Sequence, residues 1–357
     1  MIRILIINST LERSGLTNVI FHICKNIDNS QFELHILTLS PEPANSMWDE
    51  FVDIGVNLHS LNISRFKSLI NLGAPLKDMV QKIAPNIIHS HSFRGTYFSG
   101  KFLSNYNRMV TVHGFIYDNH SVVYGKILGN IFANRELKSF KNAQVRSVVS
   151  KSLGDLYGQN MSVIVIENAV PTDVFCKVTK AEKVQIRKKL NLPIDAKIYV
   201  LAGDLNKRKD PLLVIQAFVN AELKNAILLV LGKGPLLDSC KKFANHQVRF
   251  EGQVSQIDSY YKAANFLISA SISEGQGLSV LEGAMCGLKC LVTNLPPHQE
   301  IFLNNPEQVS YFKPRDELGL RVLLKEESVD EIYSGEYFSI KNMISLYQNA
   351  YLSMVNQ

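Results

Sequence analysis

Glu274 and Glu282 stand eight positions apart in the stretch SEGQGLSVLEG, residues 273–283, with a glycine-flanked turn between them. Ahead of the stretch, Phe266-Leu267-Ile268-Ser269 has the composition of a buried strand, and residues 270–276 form a small-residue loop. Residues 278–286 then show helical patterning, closed by Gly287. Strand, loop and helix start in that order point unpaired backbone N–H groups at an anion, above all a phosphate. Gly277, with no Cβ, lets the ligand approach the backbone at Leu278. A carboxylate repels phosphate but accepts hydrogen bonds from hydroxyls. Two acids flanking the helix start therefore suit a molecule with a diphosphate at its centre and a hydroxyl-bearing ring at each end, the layout of a nucleotide-diphosphate-sugar. An acid in a first helical turn is also favoured by the helix dipole with no ligand at all.

Other stretches carry compatible chemistry. Residues 201–210, LAGDLNKRKD, read as a strand end, a basic loop and a helix start, where Lys209 can neutralise a departing diphosphate. Gly232-Lys233-Gly234 is a second glycine turn after a strand. Arg13-Ser14-Gly15-Leu16-Thr17 follows the first strand, and its turn suits phosphate or an acceptor. His91 and His113 each end an apolar strand, where a histidine is either packed and hydrogen-bonded or turned toward a site.

These residues need elements to position them. The 357 residues are long for one compact domain and comfortable for two. Candidate strands at 2–8, 32–39, 56–60, 87–90, 108–112, 145–149 and 163–166 alternate with helical stretches such as 16–27, 66–83 and 125–140. The rhythm restarts with strands at 197–202, 227–232, 247–250, 266–269 and 289–293 and helices at 211–220, 236–244, 257–264 and 278–286. Continuous apolar strands alternating with helices predict parallel sheets covered on both faces. The expected architecture is α/β: two doubly wound, Rossmann-like domains facing each other across a cleft, at residues 1–172 and 173–338. Residues 167–192 form the linker, and 339–357 are a last helix. Ligands in such sheets sit at the carboxyl ends of the strands.

Bulk composition narrows the class. Hydrophobic content of 46% and charged content of 20% are ordinary for a globular chain. A net charge of +6 leans toward phosphorylated ligands or an anionic membrane face, but neither half is a nucleic-acid-binding arm. The cysteines Cys24, Cys176, Cys240, Cys286 and Cys290 lack zinc-site spacing and read as free thiols of a reducing cytoplasm. The N-terminal MIRILIINST reads as a strand without a cleavage site, and no apolar run reaches the ~20 residues of a membrane span.

Taken together, Glu274-Gly-Gln-Gly-Leu-Ser-Val-Leu-Glu282, the upstream VRFEGQVSQIDSYYKAANFLISAS, the segment VIENAVPTDVF, and IIHSHS and TVHGF resemble the retaining GT-B glycosyltransferases, specifically the family 4 enzymes of bacterial surface polysaccharide and O-antigen synthesis. The resemblance spans nearly the whole chain. It implies that Glu274 contacts donor-sugar hydroxyls, Glu282 the ribose, and the backbone at Gly277 and Leu278 the distal phosphate. Lys209 balances the leaving diphosphate, His113 lies over the donor sugar, and His91 and the Gly15 turn line the acceptor side. The last helix is implied to pack back on the N-terminal domain. No metal and no cofactor are implied, the nucleotide-diphosphate-sugar being the substrate. Several positions depart from the family pattern. Asp204 stands where an arginine is usual, so leaving-group stabilisation requires Lys207 or Arg208 as a substitute. Ser14-Gly15 replaces a double glycine, Ala169 a glycine, Pro171 an acid and Gln276 an apolar residue.

The expected reaction is metal-independent hexosyl transfer with retention of anomeric configuration, to a hydroxyl of a glycan or a polyprenyl-diphosphate-linked acceptor in lipopolysaccharide-type biosynthesis. No side chain stands out as a covalent nucleophile, so front-face attack is expected, with leaving phosphate oxygen as base. Residues 94–141 hold seven Lys and Arg against Asp118 and Glu136, interleaved with apolar residues. That pattern suits peripheral attachment to the cytoplasmic face of the inner membrane. Two alternatives share the fold: a nucleotide-sugar epimerase, and a non-catalytic sugar-nucleotide-binding protein, for which Asp204 is the best argument.

Overall fold

The computed structural model describes residues 1–326 and 338–355. The chain divides into two compact units, one of Met1–Ala169 with Ile340–Gln357, the other Val170–Ser339.

In the first unit the strands are β1 (Ile2–Asn8), β2 (Phe32–Thr38), β3 (Asn57–Ser60), β4 (Ile87–Ser90), β5 (Arg108–Val112), β6 (Val145–Val148) and β7 (Ile164–Val165). They hydrogen-bond in the order β3-β2-β1-β4-β5-β6-β7, every pair parallel. The apolar run Ile4–Ile7 is wholly buried, as a strand covered on both faces requires. Strand order reverses between β1 and β4, the switch point at which such sheets open a crevice at their carboxyl ends. The Ile340–Val355 helix belongs to this unit and buries Tyr347 and Tyr351 completely. The last two positions of the sequence-expected helix lie outside the described residues.

The second unit repeats the plan with β8 (Lys197–Ala202), β9 (Ala226–Leu231), β10 (Val248–Gly252), β11 (Phe266–Ser269), β12 (Lys289–Thr293) and β13 (Val309–Phe312). The order is β10-β9-β8-β11-β12-β13, again all parallel, with the switch point between β8 and β11. Among the described residues no helix is long and apolar enough to cross a membrane.

Local differences from the sequence expectation have physical causes. The single helix expected over 66–83 is two, Arg65–Asn71 and Gly73–Ile83. Pro75 has no N–H to continue the first helix, whereas in the first turn of a new one it is tolerated. The linker over 167–192 contains a helix, Lys180–Lys189, started by a Thr179–Glu182 capping box. Its Arg187 is buried and donates to the carbonyls of Ala263, Ile194 and Ala196, which ties the helix to the second unit.

The helix expected over 125–140 belongs to a longer segment, Ile116–Lys141, that folds back on itself at Gly125. Gly125 has φ +74° and ψ 171°, a conformation outside the helical region and open to glycine. The Tyr117 hydroxyl donates to Asn134 Oδ1 at 2.7 Å, and His120 Nε2 lies 2.6 Å from Glu136 Oε2. Residues sixteen or seventeen apart on a straight helix would stand about 24–26 Å from each other. The two limbs are therefore an antiparallel helical hairpin. Its tip exposes Val123, Tyr124, Ile127 and Leu128, with Ile127 at 80%.

Candidate functional site

Buried β11 delivers the chain to the loop 270–276, and Gly277 turns it into the Leu278–Met285 helix. Gly277 has φ +92°, and a Cβ there would stand 3.0 Å from His298 Cδ2. Both backbone conformation and space demand glycine. The helix starts with no side-chain cap, so its first N–H groups are oriented for an anion.

Glu274 sits in the loop just before this start and is only 7% exposed. Its Oε1 accepts from Lys209 Nζ at 2.5 Å and from Ser271 Oγ at 2.7 Å, and its Oε2 accepts from Arg208 Nη1 at 2.9 Å. Burial alone would raise the Glu274 pKa. Lys209 and then Arg208 outweigh it and hold the carboxyl well below the usual range, so it stays ionised. The cations come from the loop after β8, the strand beside β11 at the switch point. Asn206 Oδ1 shapes that loop by accepting from the Arg208 and Lys209 amides at 3.0 and 3.1 Å. The Ile272 amide donates to the Arg208 carbonyl and fastens the two loops together.

Arg208, rather than exposed Lys207, is thus the second cation on Glu274, and Asp204 faces solvent. Gly232 and Gly234 pack against the backbone of Gly203 and Leu205, so the Gly-Lys-Gly turn supports the loop that carries the cations.

Glu282 lies further along the helix, half-buried, and accepts from the Tyr261 hydroxyl at 3.1 Å. Burial raises its pKa to about 7, against the opposing effects of that hydrogen bond and of Lys209. The two acids of one motif thus differ in charge near neutrality.

His298, to which the sequence assigned no role, is fully buried beside Gly277. Its Nδ1 lies 2.8 Å from the Thr293 carbonyl, which can only accept, so the proton is on Nδ1. Its Nε2 has no hydrogen-bond partner among the described residues. The signal that reveals it is contact with Gly277 across the fold, which single-sequence spacing does not carry.

In the first unit His91 and His113 follow the adjacent strands β4 and β5, and their Nδ1 and Nε2 atoms stand 3.0 Å apart. Burial lowers the His113 pKa to about 4 and that of His91 well below its ordinary value. Gly15 is exposed at the start of the Gly15–Asn26 helix, after β1, capped by the Ser14 side chain. Among the described residues no group of three or more His, Cys, Asp or Glu is placed to hold a metal ion.

Two family models match the chain: Glycosyltransferase Family 4 over residues 13–174 and Glycosyl transferases group 1 over residues 182–318. A UDP-Gal:alpha-D-GlcNAc-diphosphoundecaprenol alpha-1,3-galactosyltransferase of Escherichia coli is 24% identical over 305 residues, covering 79% of this chain and 76% of its own. The O-antigen biosynthesis glycosyltransferase WclY of Escherichia coli is 23% identical, covering 98% of each chain. Among solved structures, the sucrose-phosphate synthase of Thermosynechococcus elongatus superposes with a TM-score of 0.77 at 16% identity, covering 100% of this chain and 97% of that one. At that identity the likeness shows the fold.

Proposed function

The chain belongs to the GT-B glycosyltransferases, and we propose that it moves a hexosyl group from a nucleotide-diphosphate-sugar to a hydroxyl of a lipid-linked oligosaccharide, with retention. The observation that carries this reading is the Glu274–Lys209–Arg208 cluster at the start of the Leu278–Met285 helix. It offers a helix end and two cations to a diphosphate, and an ionised carboxylate to sugar hydroxyls.

In this reading the anomeric C–O bond to the diphosphate breaks as positive charge develops on the sugar. The helix amides, Lys209 and Arg208 stabilise the departing charge. The acceptor hydroxyl attacks the face that the diphosphate leaves, and its proton passes to the leaving phosphate oxygen. Glu274 holds donor hydroxyls, Glu282 takes the ribose, and His113 stands over the sugar. No step uses a metal. The first unit takes the acceptor, with His91 and the Gly15 turn on that side, and the second the donor.

A relative named for a diphosphoundecaprenol-linked substrate supports a lipid-linked acceptor. The apolar hairpin tip with Lys126 supports docking on the cytoplasmic face of the membrane. Against a non-catalytic binding role, the Arg208 guanidinium beside Glu274 supports a second cation at the cluster despite Asp204. The test incubates the protein with UDP-galactose, with and without GlcNAc-diphosphate-lipid, and follows the anomeric configuration by proton NMR. Retained transfer only with acceptor fits the proposal. An epimerised donor sinks it, as does a glycosyl group trapped on a side chain.

A further inference from the structure

Three histidines in the first unit, buried His89 and His91 and half-buried His113, form one chain that ends on the last helix. His113 Nε2 lies 3.0 Å from His91 Nδ1, and His91 Nε2 lies 3.2 Å from His89 Nδ1. His89 Nδ1 is also 2.7 Å from the Tyr351 hydroxyl, and His89 Nε2 is 2.8 Å from Thr111 Oγ1. Thr111 Oγ1 continues to Ser147 Oγ at 2.5 Å, and Ser147 reaches the Val110 carbonyl at 3.4 Å. His89, Ser147 and Tyr351 are 0% exposed.

Each neutral imidazole has one donor and one acceptor nitrogen, so the tautomers along such a chain are coupled. Burial keeps the rings uncharged, with His89 lowered to about 3 and His113 to about 4. If Tyr351 donates to His89 Nδ1, the His89 proton is on Nε2 and goes to Thr111. Thr111 then donates to Ser147, and Ser147 to the Val110 carbonyl. His89 Nδ1 can only accept, so His91 carries its proton on Nε2. His91 Nδ1 can then only accept, so His113 donates from Nε2. Every proton in the chain then faces an acceptor, the one lone pair of His89 Nδ1 being shared between the Tyr351 hydroxyl at 2.7 Å and the longer His91 contact at 3.2 Å. In the reverse arrangement His89 Nδ1 donates to the Tyr351 oxygen, and the buried Tyr351 proton has no other acceptor among the described residues. An orphaned buried donor loses its water partner and gains none, so this arrangement is the less stable one.

We infer that Tyr351, on the chain's last helix, is a positioning residue that sets the tautomer of His113 through His89 and His91, so that His113 presents an unprotonated Nδ1. That nitrogen accepts hydrogen bonds. It selects a hydroxyl and turns away a phosphate oxygen, which offers no proton. Its partner is a donor-sugar hydroxyl, a point that rests on the function proposed above, whereas the tautomer does not.

The test is nitrogen NMR of the full chain labelled with 15N-histidine, His113 being assigned by comparison with His113→Gln. The wild type should show His113 protonated at Nε2 alone. Tyr351→Phe, which keeps the ring and removes the donated proton, should give a mixed or inverted signal. It should also weaken UDP-galactose binding about tenfold, with UDP binding unchanged. A wild-type His113 protonated at Nδ1 overturns the inference, and so does a His113 signal unmoved by Tyr351→Phe. The wild-type spectrum decides the tautomer even where the variant does not fold. A wild type that binds neither UDP nor UDP-galactose counts against the proposed function and leaves the tautomer result standing.

Discussion

Lys209 Nζ stands 2.5 Å from Glu274 Oε1, so the cation proposed for a diphosphate is held by the carboxylate proposed for a sugar. Arg208 shares the same carboxylate at 2.9 Å, and all three groups are largely sheltered, with side-chain exposures of 15%, 22% and 7% for Lys209, Arg208 and Glu274. A bound diphosphate therefore meets two cations already oriented. Lys209→Ala is expected to lower kcat by about 10²–10³, the usual effect of removing one preorganised charge-stabilising donor. Arg208→Ala should lower it by at least about tenfold if Arg208 fills the role vacated at Asp204, as proposed above. Steady-state kinetics with UDP-galactose measure both, and a fully active Arg208→Ala would return the leaving-group role to another residue.

The same cluster sets an acid limit on stability. Glu274 has a folded pKa below its unfolded value, so its contribution is present above about pH 4.3 and lost as pH falls below it. Glu274→Gln leaves two sheltered cations without a partner and should cost about 1–3 kcal/mol at pH 7. The cost should shrink toward pH 3. Chemical denaturation at both pH values would show it; an equal cost at both would place the effect elsewhere.

Glu282 has the opposite sign. Its pKa is raised to about 7, so the folded protein binds its proton more tightly than the unfolded chain does. The stability from that proton is full below about pH 4.3 and is lost as pH rises through 7. Glu282→Gln should therefore be no gain at pH 4 and a gain on the order of 1 kcal/mol or more at pH 8. Donor recognition runs the other way. A carboxylate accepts from ribose hydroxyls at both oxygens, so wild-type KM for the donor should fall between pH 6 and 8, and Glu282→Gln should flatten that change.

Much of this was visible in the residues themselves. Runs such as Ile4–Ile7 and residues 198–202 are apolar throughout, the pattern of a strand covered on both faces. The acid pair, Gly277 and Lys209 were legible because their spacing follows the strand-loop-helix unit. What spacing does not carry is contact between units of sequence. Arg208 was only one of two candidates until the Asn206 turn aimed it at Glu274 and left Lys207 in solvent. His298 gained meaning only beside Gly277. The hairpin stayed hidden because both its limbs have helical composition, and only the Gly125 backbone separates them.

Gly277 couples stability to the site. Gly277→Ala would place a methyl 3.0 Å from His298 at φ +92°, so two costs add. A loss of about 1–3 kcal/mol is expected, together with weaker UDP binding, since the helix start must shift. His298→Ala removes the clash at its own cavity cost, so Gly277→Ala should cost less in the His298→Ala background than in the wild type. Thermal unfolding and UDP titration of both single variants and the double variant test this; an equal cost of Gly277→Ala in the two backgrounds would show that backbone conformation alone demands glycine.

The hairpin tip makes a claim about surface attachment. Val123 is 68% exposed and Ile127 80%, with Lys126 between them. Large apolar side chains gathered at one tip are costly in water and suit the boundary of a lipid layer. Burial of one such side chain is worth roughly 1.5–3 kcal/mol, and each nearby cation adds about 1 kcal/mol over anionic lipid. Ile127→Ser with Leu128→Ser should therefore cut co-sedimentation with phosphatidylglycerol vesicles by tenfold or more. Charge reversal at Lys126, Arg135 and Lys138 should do so only at low salt, because screening already weakens those contacts near physiological ionic strength. Both variants should leave UDP binding intact, since the tip belongs to the first unit and the diphosphate cluster to the second. Equal sedimentation of wild type and both variants would remove the tip from any role at the membrane.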